Sequence, residues 1–217
     1  MHNSKDQILK IIREALIEPV ALPFPKSEGN SPAVVPLAQD IEIEFAEKLT
    51  ALQGKFAFCQ NKKELSRQVN ELISNSHWDK IFCLEPKIGS LIGETVPLAT
   101  NQDALADCDV AITGCEYLVA RTGSVVMSSA QLSGRNTSVY APVHICIAFS
   151  NQLVYDIRDA LEGIKEKYGT SIPSLITFAT GPSRTADIEK TLVVGVHGPK
   201  EVYVFLVDEE QDTEIKK

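Results

Sequence analysis

The stretch from Thr180 to Pro199, TGPSRTADIEKTLVVGVHGP, concentrates residue types that bind and process small polar molecules. Gly181-Pro182-Ser183-Arg184-Thr185 supplies free amides, two hydroxyls and a guanidinium. The run ADIEKTLV after it is expected to form a short helix, which would put these groups at a helix N-terminus. The first amides there lack partners and the macrodipole is positive, so anions bind. Gly181 would let backbone approach a ligand, after Thr180, and Arg184 can hold a carboxylate or phosphate in bidentate fashion. Asp187 and Glu189 would act as a base or bind ribose-like hydroxyls. The plainer reading has Ser183 or Thr185 capping the helix, Asp187 stabilising its first turn and Arg184 pairing with that aspartate. His197 lies between Gly195 and Gly198, where no amphipathic face explains it. A histidine titrates near neutrality and can serve as acid, base or hydrogen-bond donor.

A second group lies upstream in TGCEYLVARTGSVVMSS, which offers Glu116, Thr122, Gly123 and Ser124. Glu116 would be a carboxylate at a strand end, and Gly123 marks a turn or a close backbone approach. SGRNTSVYAP adds Arg135 and Ser138 just before a strand, as a third wall. His144, in VHICIAF, shares a strand face with Cys146 and Ala148 and reads as structural. Neither G-x-x-x-x-G-K-[ST] nor G-x-G-x-x-G occurs in the loop, so no nucleotide fingerprint applies. No G-x-S-x-G elbow is present.

Elements of two kinds must position these groups. Helices are expected at about 38–52, 62–74, 87–93 and 151–169, and strands in KFAFC, KIFCL, residues 109–113, VHICIAF, SLITFATG and KEVYVFLVD. Short apolar strands alternating with helices predict an α/β fold, an open and mainly parallel sheet with helices on both faces. An antiparallel hairpin is expected around Gly123. Ligands in such sheets bind beyond the carboxyl ends of the strands, where the loops from Thr113 to Ser124 and from Thr180 onward are expected to fall. Residues 1–37 form a separate region: an amphipathic helix over 3–17 (Ile8, Ile11, Ile12, Ala15, Leu16), then a proline-rich arm with five prolines in nineteen residues. The α/β domain would occupy 38–217, and the arm would serve docking or a homo-oligomer.

A formal charge of −8 disfavours nucleic acid and anionic membranes as main partners. No apolar run reaches the about 18–20 residues that span a bilayer. The N-terminal sequence lacks a signal peptide's apolar core and cleavage site. Five cysteines, with no C-x-x-C pair, fit a reduced cytoplasm and offer no iron–sulfur or zinc motif.

TGPSRTADIEKTLVVGVHGP, together with ITGCEYLVARTGSVVMSS and GRNTSVYAPVHI, resembles the LUD domain, the lactate-utilisation protein C family, over about residues 38–208. The resemblance implies the open fold shared by ribose-5-phosphate isomerase, glucosamine-6-phosphate deaminase, CoA transferases and 5-formyltetrahydrofolate cyclo-ligase. It implies a cytoplasmic role in oxidising L-lactate to pyruvate beside two iron–sulfur partner proteins. The shared motif falls on Gly181, Pro182, Ser183, Arg184, Thr185, Asp187, Glu189, His197, Gly198 and Pro199, with Thr122 and Gly123 upstream. Many relatives carry a glutamate before that Thr-Gly, where this chain has Arg121. Three functions are then open: a subunit of a lactate-oxidising system with a small-anion pocket, a stand-alone enzyme on a phosphorylated sugar, folate or acyl-CoA, and a non-catalytic assembly module.

Overall fold

The computed structural model describes residues 4–15, 36–37, 39–93, 96–186, 192–195 and 197–208. Two compact units result, residues 1–36 and 37–217. The first contains α1 (Ser4–Ala15), whose Ile8, Ile11 and Ile12 are exposed.

The second unit begins with α2 (Ile41–Ala51), β1 (Lys55–Cys59), α3 (Lys62–Ser76), β2 (Ile81–Phe82), α4 (Pro86–Ile92) and β3 (Leu98–Ala99). After a 3-10 turn come β4 (Val110–Thr113), β5 (Tyr117–Val119), β6 (Ser124–Ser128), α5 (Thr137–Tyr140) and β7 (Val143–Phe149). The chain continues through β8 (Leu153–Val154), α6 (Ile157–Tyr168), β9 (Ile176–Ala179), β10 (Arg184–Ala186), β11 (Leu192–Val194) and β12 (Glu201–Val207). Six strands form one sheet in the order β1-β12-β7-β4-β2-β3, and every pairing in it is parallel.

Strict alternation along the central strands shows why they read as continuous apolar runs. Ile145 and Ile147 of β7, with Phe205 and Val207 of β12, face Leu65, Val69 and Ile73 of α3 and Ile88 and Ile92 of α4. Cys146, Ala148, Val204 and Leu206 face the other way, onto Phe45 and Leu49 of α2 and Leu118, Val125 and Met127 of the β5–β6 hairpin. Both faces are buried, as a parallel sheet requires. The second face is thus covered by α2 and by a four-stranded sheet, β8-β5-β6-β9, with α6 packed beyond it through Ala160 and Ile164. The antiparallel hairpin expected around Gly123 is present.

Two expectations are corrected. Arg184–Ala186 and Leu192–Val194 pair as an antiparallel hairpin, so Arg184 opens a strand and not a helix. The β-branched residues Thr185, Val193 and Val194 favour that outcome. The strand in SLITFATG joins β6 antiparallel in the second sheet, with Ala179 opposite Val125. The loop after it therefore does not leave the carboxyl end of a parallel strand.

Candidate functional site

The segment beyond β9 folds back across the amino ends of the parallel strands. Ser183 N–H donates to the Pro199 carbonyl at 2.9 Å, and Gly195 N–H donates to the Ser183 carbonyl at 3.0 Å. The Gly-Pro-Ser and His-Gly-Pro ends of the long motif are thereby clasped together. Gly198 makes the clasp sterically allowed, because a Cβ there would sit 2.8 Å from Ser183 Cβ. Lys200 N–H then donates to the Pro142 carbonyl at 2.8 Å, where β7 and β12 begin side by side.

This clasp borders a depression of about 330 Å³ lined by Val139, Tyr140, Gly195, His197 and Gly198. His197 and Tyr140 are both exposed there, and the Lys200 stem packs against Gly195. An imidazole and a phenol, with a lysine rooted beside them, form a set that can orient a small carboxylate bearing a hydroxyl. Tyr140 and Lys200 were not singled out from the sequence. The available signal was position alone, since Lys200 follows the His-Gly-Pro motif and Tyr140 ends SGRNTSVY.

The upstream signature reaches the same side of the molecule. Thr122 Oγ1 and Ser124 Oγ lie 2.7 Å apart, and Ser124 Oγ lies 2.7 Å from Thr180 Oγ1. A line of three hydroxyls holds three protons and uses two internally, so one donor is left over. Two glycines bring this array onto α2: Gly123 lies against the Lys48–Leu49 backbone, and Gly181 against the Leu52 carbonyl. Arg121 donates from Nε to Asp156 at 2.5 Å. Asp156 also caps α6 by accepting from Arg158 N–H, so Arg121 fastens the β5–β6 turn to that helix.

Arg184 is used differently from the sequence expectation. Its Nη2 donates to the carbonyl of Leu52, the C-cap residue of α2. A helix C-terminus carries partial negative charge, which a guanidinium stabilises and a bound anion would oppose. Thr185 lies in β10 opposite Val193. Asp187 and Glu189 lie outside the described residues.

Glu116 and Arg135 are not brought to this side. Ser128 and Ser124 mark opposite ends of β6, and Glu116 sits at the Ser128 end. Its carboxylate accepts from Ser128 Oγ at 2.5 Å, Tyr168 Oη at 2.7 Å and Lys167 Nζ at 2.7 Å. Burial alone would raise its pKa, but these donors outweigh that and hold it below the ordinary glutamate value. A carboxylate saturated in this way is a tie between the hairpin and the end of α6. Arg135 Nη2 donates to Ser174 Oγ at 2.7 Å, beside the start of β9 and again at the Ser128 end.

At the carboxyl ends of β2 and β4, Glu85 accepts from Gly114 N–H at 3.1 Å and from Ser133 Oγ. Nearby, Thr113 Oγ1 donates to the Gly114 carbonyl at 2.8 Å and lies 2.8 Å from His144 Nε2. The single threonine proton is spent, so His144 must donate from Nε2. Burial pushes the His144 pKa down to about 4, which keeps the ring neutral. All five cysteines are buried free thiols. Among the described residues, no group of three or more His, Cys, Asp or Glu is placed to hold a metal, and no helix is long and apolar enough to cross a membrane.

Comparison with known proteins meets this geometry on the same segments. The chain is 40% identical over 111 residues to lactate utilization protein C of Bacillus licheniformis, covering 50% of this chain and 46% of that protein. It is 39% identical over 103 residues to lactate utilization protein C of Bacillus subtilis, covering 46% and 43%. An uncharacterized protein of Neisseria meningitidis serogroup B is 31% identical over 162 residues, covering 62% of this chain and 69% of that one. The chain spans about half the length of the lactate utilization relatives named here. In fold, it superimposes on a DUF162 family protein from Deinococcus radiodurans with a TM-score of 0.60 and 20% identity, covering 79% of this chain and 99% of that one. The LUD domain model matches residues 95–207, from β3 through the clasped loops to the end of β12, and the chain belongs to the LUD domain family.

Proposed function

We propose that this chain serves lactate utilisation by binding a small hydroxy or keto acid in the His197 depression. The observation that supports the reading most is the clasp, which joins both ends of the motif beside a depression of about 330 Å³. Lys200 would attract the carboxylate, and His197 would hold or accept the proton of the ligand hydroxyl. The Thr122–Ser124–Thr180 array would brace the loop from behind, with Ser183 at its centre. Oxidation of a hydroxy acid releases two electrons; in this reading the chain binds and orients the acid and a partner accepts them, in keeping with the iron–sulfur proteins that the family resemblance implies.

Calorimetric titration with L-lactate and pyruvate tests this reading. Lys200→Ala is expected to weaken binding by about 1.5–3 kcal/mol, the scale of a charge-assisted hydrogen bond. His197→Gln is expected to weaken binding by about 0.5–1.5 kcal/mol, the net worth of the hydrogen bond it would make to the ligand hydroxyl. Arg184→Ala should lower stability by about 1 kcal/mol through the lost Leu52 bond and leave affinity unchanged. Binding of sugar phosphates or acyl-CoA in place of these acids would support a stand-alone enzyme. Unchanged affinity in both Lys200→Ala and His197→Gln would remove the ligand from this depression.

A further inference from the structure

The parallel sheet ends at β1, which among the described residues has a strand neighbour on one side only. Cys59 directs its carbonyl to Asp208 N–H, at 2.9 Å, on the β12 side. Backbone polar groups alternate sides along a strand, so Ala57 and Lys55 also face β12. Phe56 and Phe58 then point their N–H and C=O groups to the open edge. Edges are protected by prolines, bulges, charged side chains or a covering segment. β1, KFAFC, has neither proline nor bulge, and its one charge, Lys55, stands at the first position of the strand and is engaged by β12, which leaves Phe56 to Phe58 uncharged. Lys55 Nζ donates to Glu201 at 2.5 Å and to the Tyr203 hydroxyl at 2.6 Å.

We propose that β1 is the interface of a twofold dimer, pairing antiparallel with β1 of a second copy about Ala57. The spacing of the strand is symmetric about that residue. Ala57 would oppose the partner's Ala57, and Phe56 would oppose the partner's Phe58. The two residues with outward-pointing backbone groups thus face each other, and each such pair exchanges two N–H···O bonds. Ala57 then occupies the non-hydrogen-bonded position, where strands approach most closely and a small side chain fits.

The side chains agree with this register. Phe56 points toward α2, where its ring meets Phe45 edge-on at 5.8 Å. Phe58, two residues on, shares that face and is 44% exposed. Beside Phe56, the residues Ala46, Glu47, Thr50 and Ala51 of α2 wall an open groove on the same face. The partner's Phe58 would lie across Phe56 and into that groove, and the twofold would repeat the contact. A single strand serves as both site and occupant, so a second copy of this chain is the partner.

The test is the mass of the full chain by light scattering on a sizing column. Twice 23.8 kDa is expected for the unaltered protein. Phe58→Lys should give the monomer mass with an unchanged circular dichroism spectrum. Phe58→Pro should do the same, because its N–H has no internal strand partner. Ala57→Cys should form a cross-linked dimer under mild oxidation, whereas Ser90→Cys, at an exposed position of α4, should not. A monomeric unaltered protein would overturn the proposal. A dimer that persists in both Phe58 variants, with no Ala57→Cys cross-link, would overturn it equally.

Discussion

Gly123→Ala is expected to destabilise the fold by about 3 kcal/mol, the sum of a strained backbone and a collision that no rotamer relieves. Gly123 has φ of +64°, and its N–H closes the hairpin turn onto the Ala120 carbonyl at 3.2 Å. A Cβ would lie 2.5 Å from Leu49 N and 2.8 Å from Lys48 C. Those atoms are helix backbone, so either α2 moves or the turn does. For a domain of this size the melting temperature should fall by about 2–4 °C per kcal/mol. Gly134→Ala is the internal control: φ is also +64°, yet nothing lies within 4 Å of the added Cβ. It should cost only the backbone term, about 1–2 kcal/mol. Equal melting shifts for the two variants would show that the α2 contact contributes nothing. Because Gly123 sits between Thr122 and Ser124, ligand binding at the clasp should weaken in the first variant and persist in the second.

The difference between these glycines is not visible in the sequence, where Gly123 reads as a turn or a close backbone approach with nothing to choose between the two. What was legible followed from periodicity. Buried parallel strands such as Val143–Phe149 and Glu201–Val207 announce themselves as apolar runs, and helices such as Ile157–Tyr168 by an amphipathic stripe. The β10–β11 pairing was hidden because ADIEKTLV mixes helix-forming Glu and Lys with β-branched residues, and pairing across the hairpin outweighed local propensity. Membership of β9 in the second sheet was hidden for a related reason. A four-residue apolar strand looks alike whether its neighbour is parallel or antiparallel. Site legibility divided along the same line. Thr122, Ser124, Thr180, Ser183 and His197 fall on one side of the molecule, as their motif grouping indicated, whereas Glu116 and Arg135 share only sequence proximity with them. Residue type announces chemistry, but the end of a hairpin on which a residue falls depends on register.

Glu116 gives the clearest physical consequence of that register. It is 3% exposed, and its partners are Ser128, also 3% exposed, together with Tyr168 and Lys167 on the end of α6. Glu116→Gln keeps the shape but replaces one acceptor oxygen with a donor. An N–H group must then face Lys167, which can only donate, or a hydroxyl of Ser128 or Tyr168, which must turn to accept and so gives up the acceptor for its own proton. The Lys167 side chain is 55% exposed and can turn to water, so the cost falls mainly on the hydroxyls. Leaving them unsatisfied is expected to cost about 2–3 kcal/mol at pH 7. The pH dependence fixes the cause. The carboxyl pKa is lowered in the folded state, so its contribution is fully present above the unfolded value near 4.5 and is lost as pH falls through the folded value. Lys167 shifts the opposite way: burial lowers its pKa, but the bond to Glu116 outweighs that and raises it. Its share persists below the ordinary lysine value and fades only in strong alkali. Urea unfolding of the unaltered protein and Glu116→Gln should therefore differ most at neutral pH and converge in acid. A gap of the same size at both ends would assign the loss to packing, with no part for the charge.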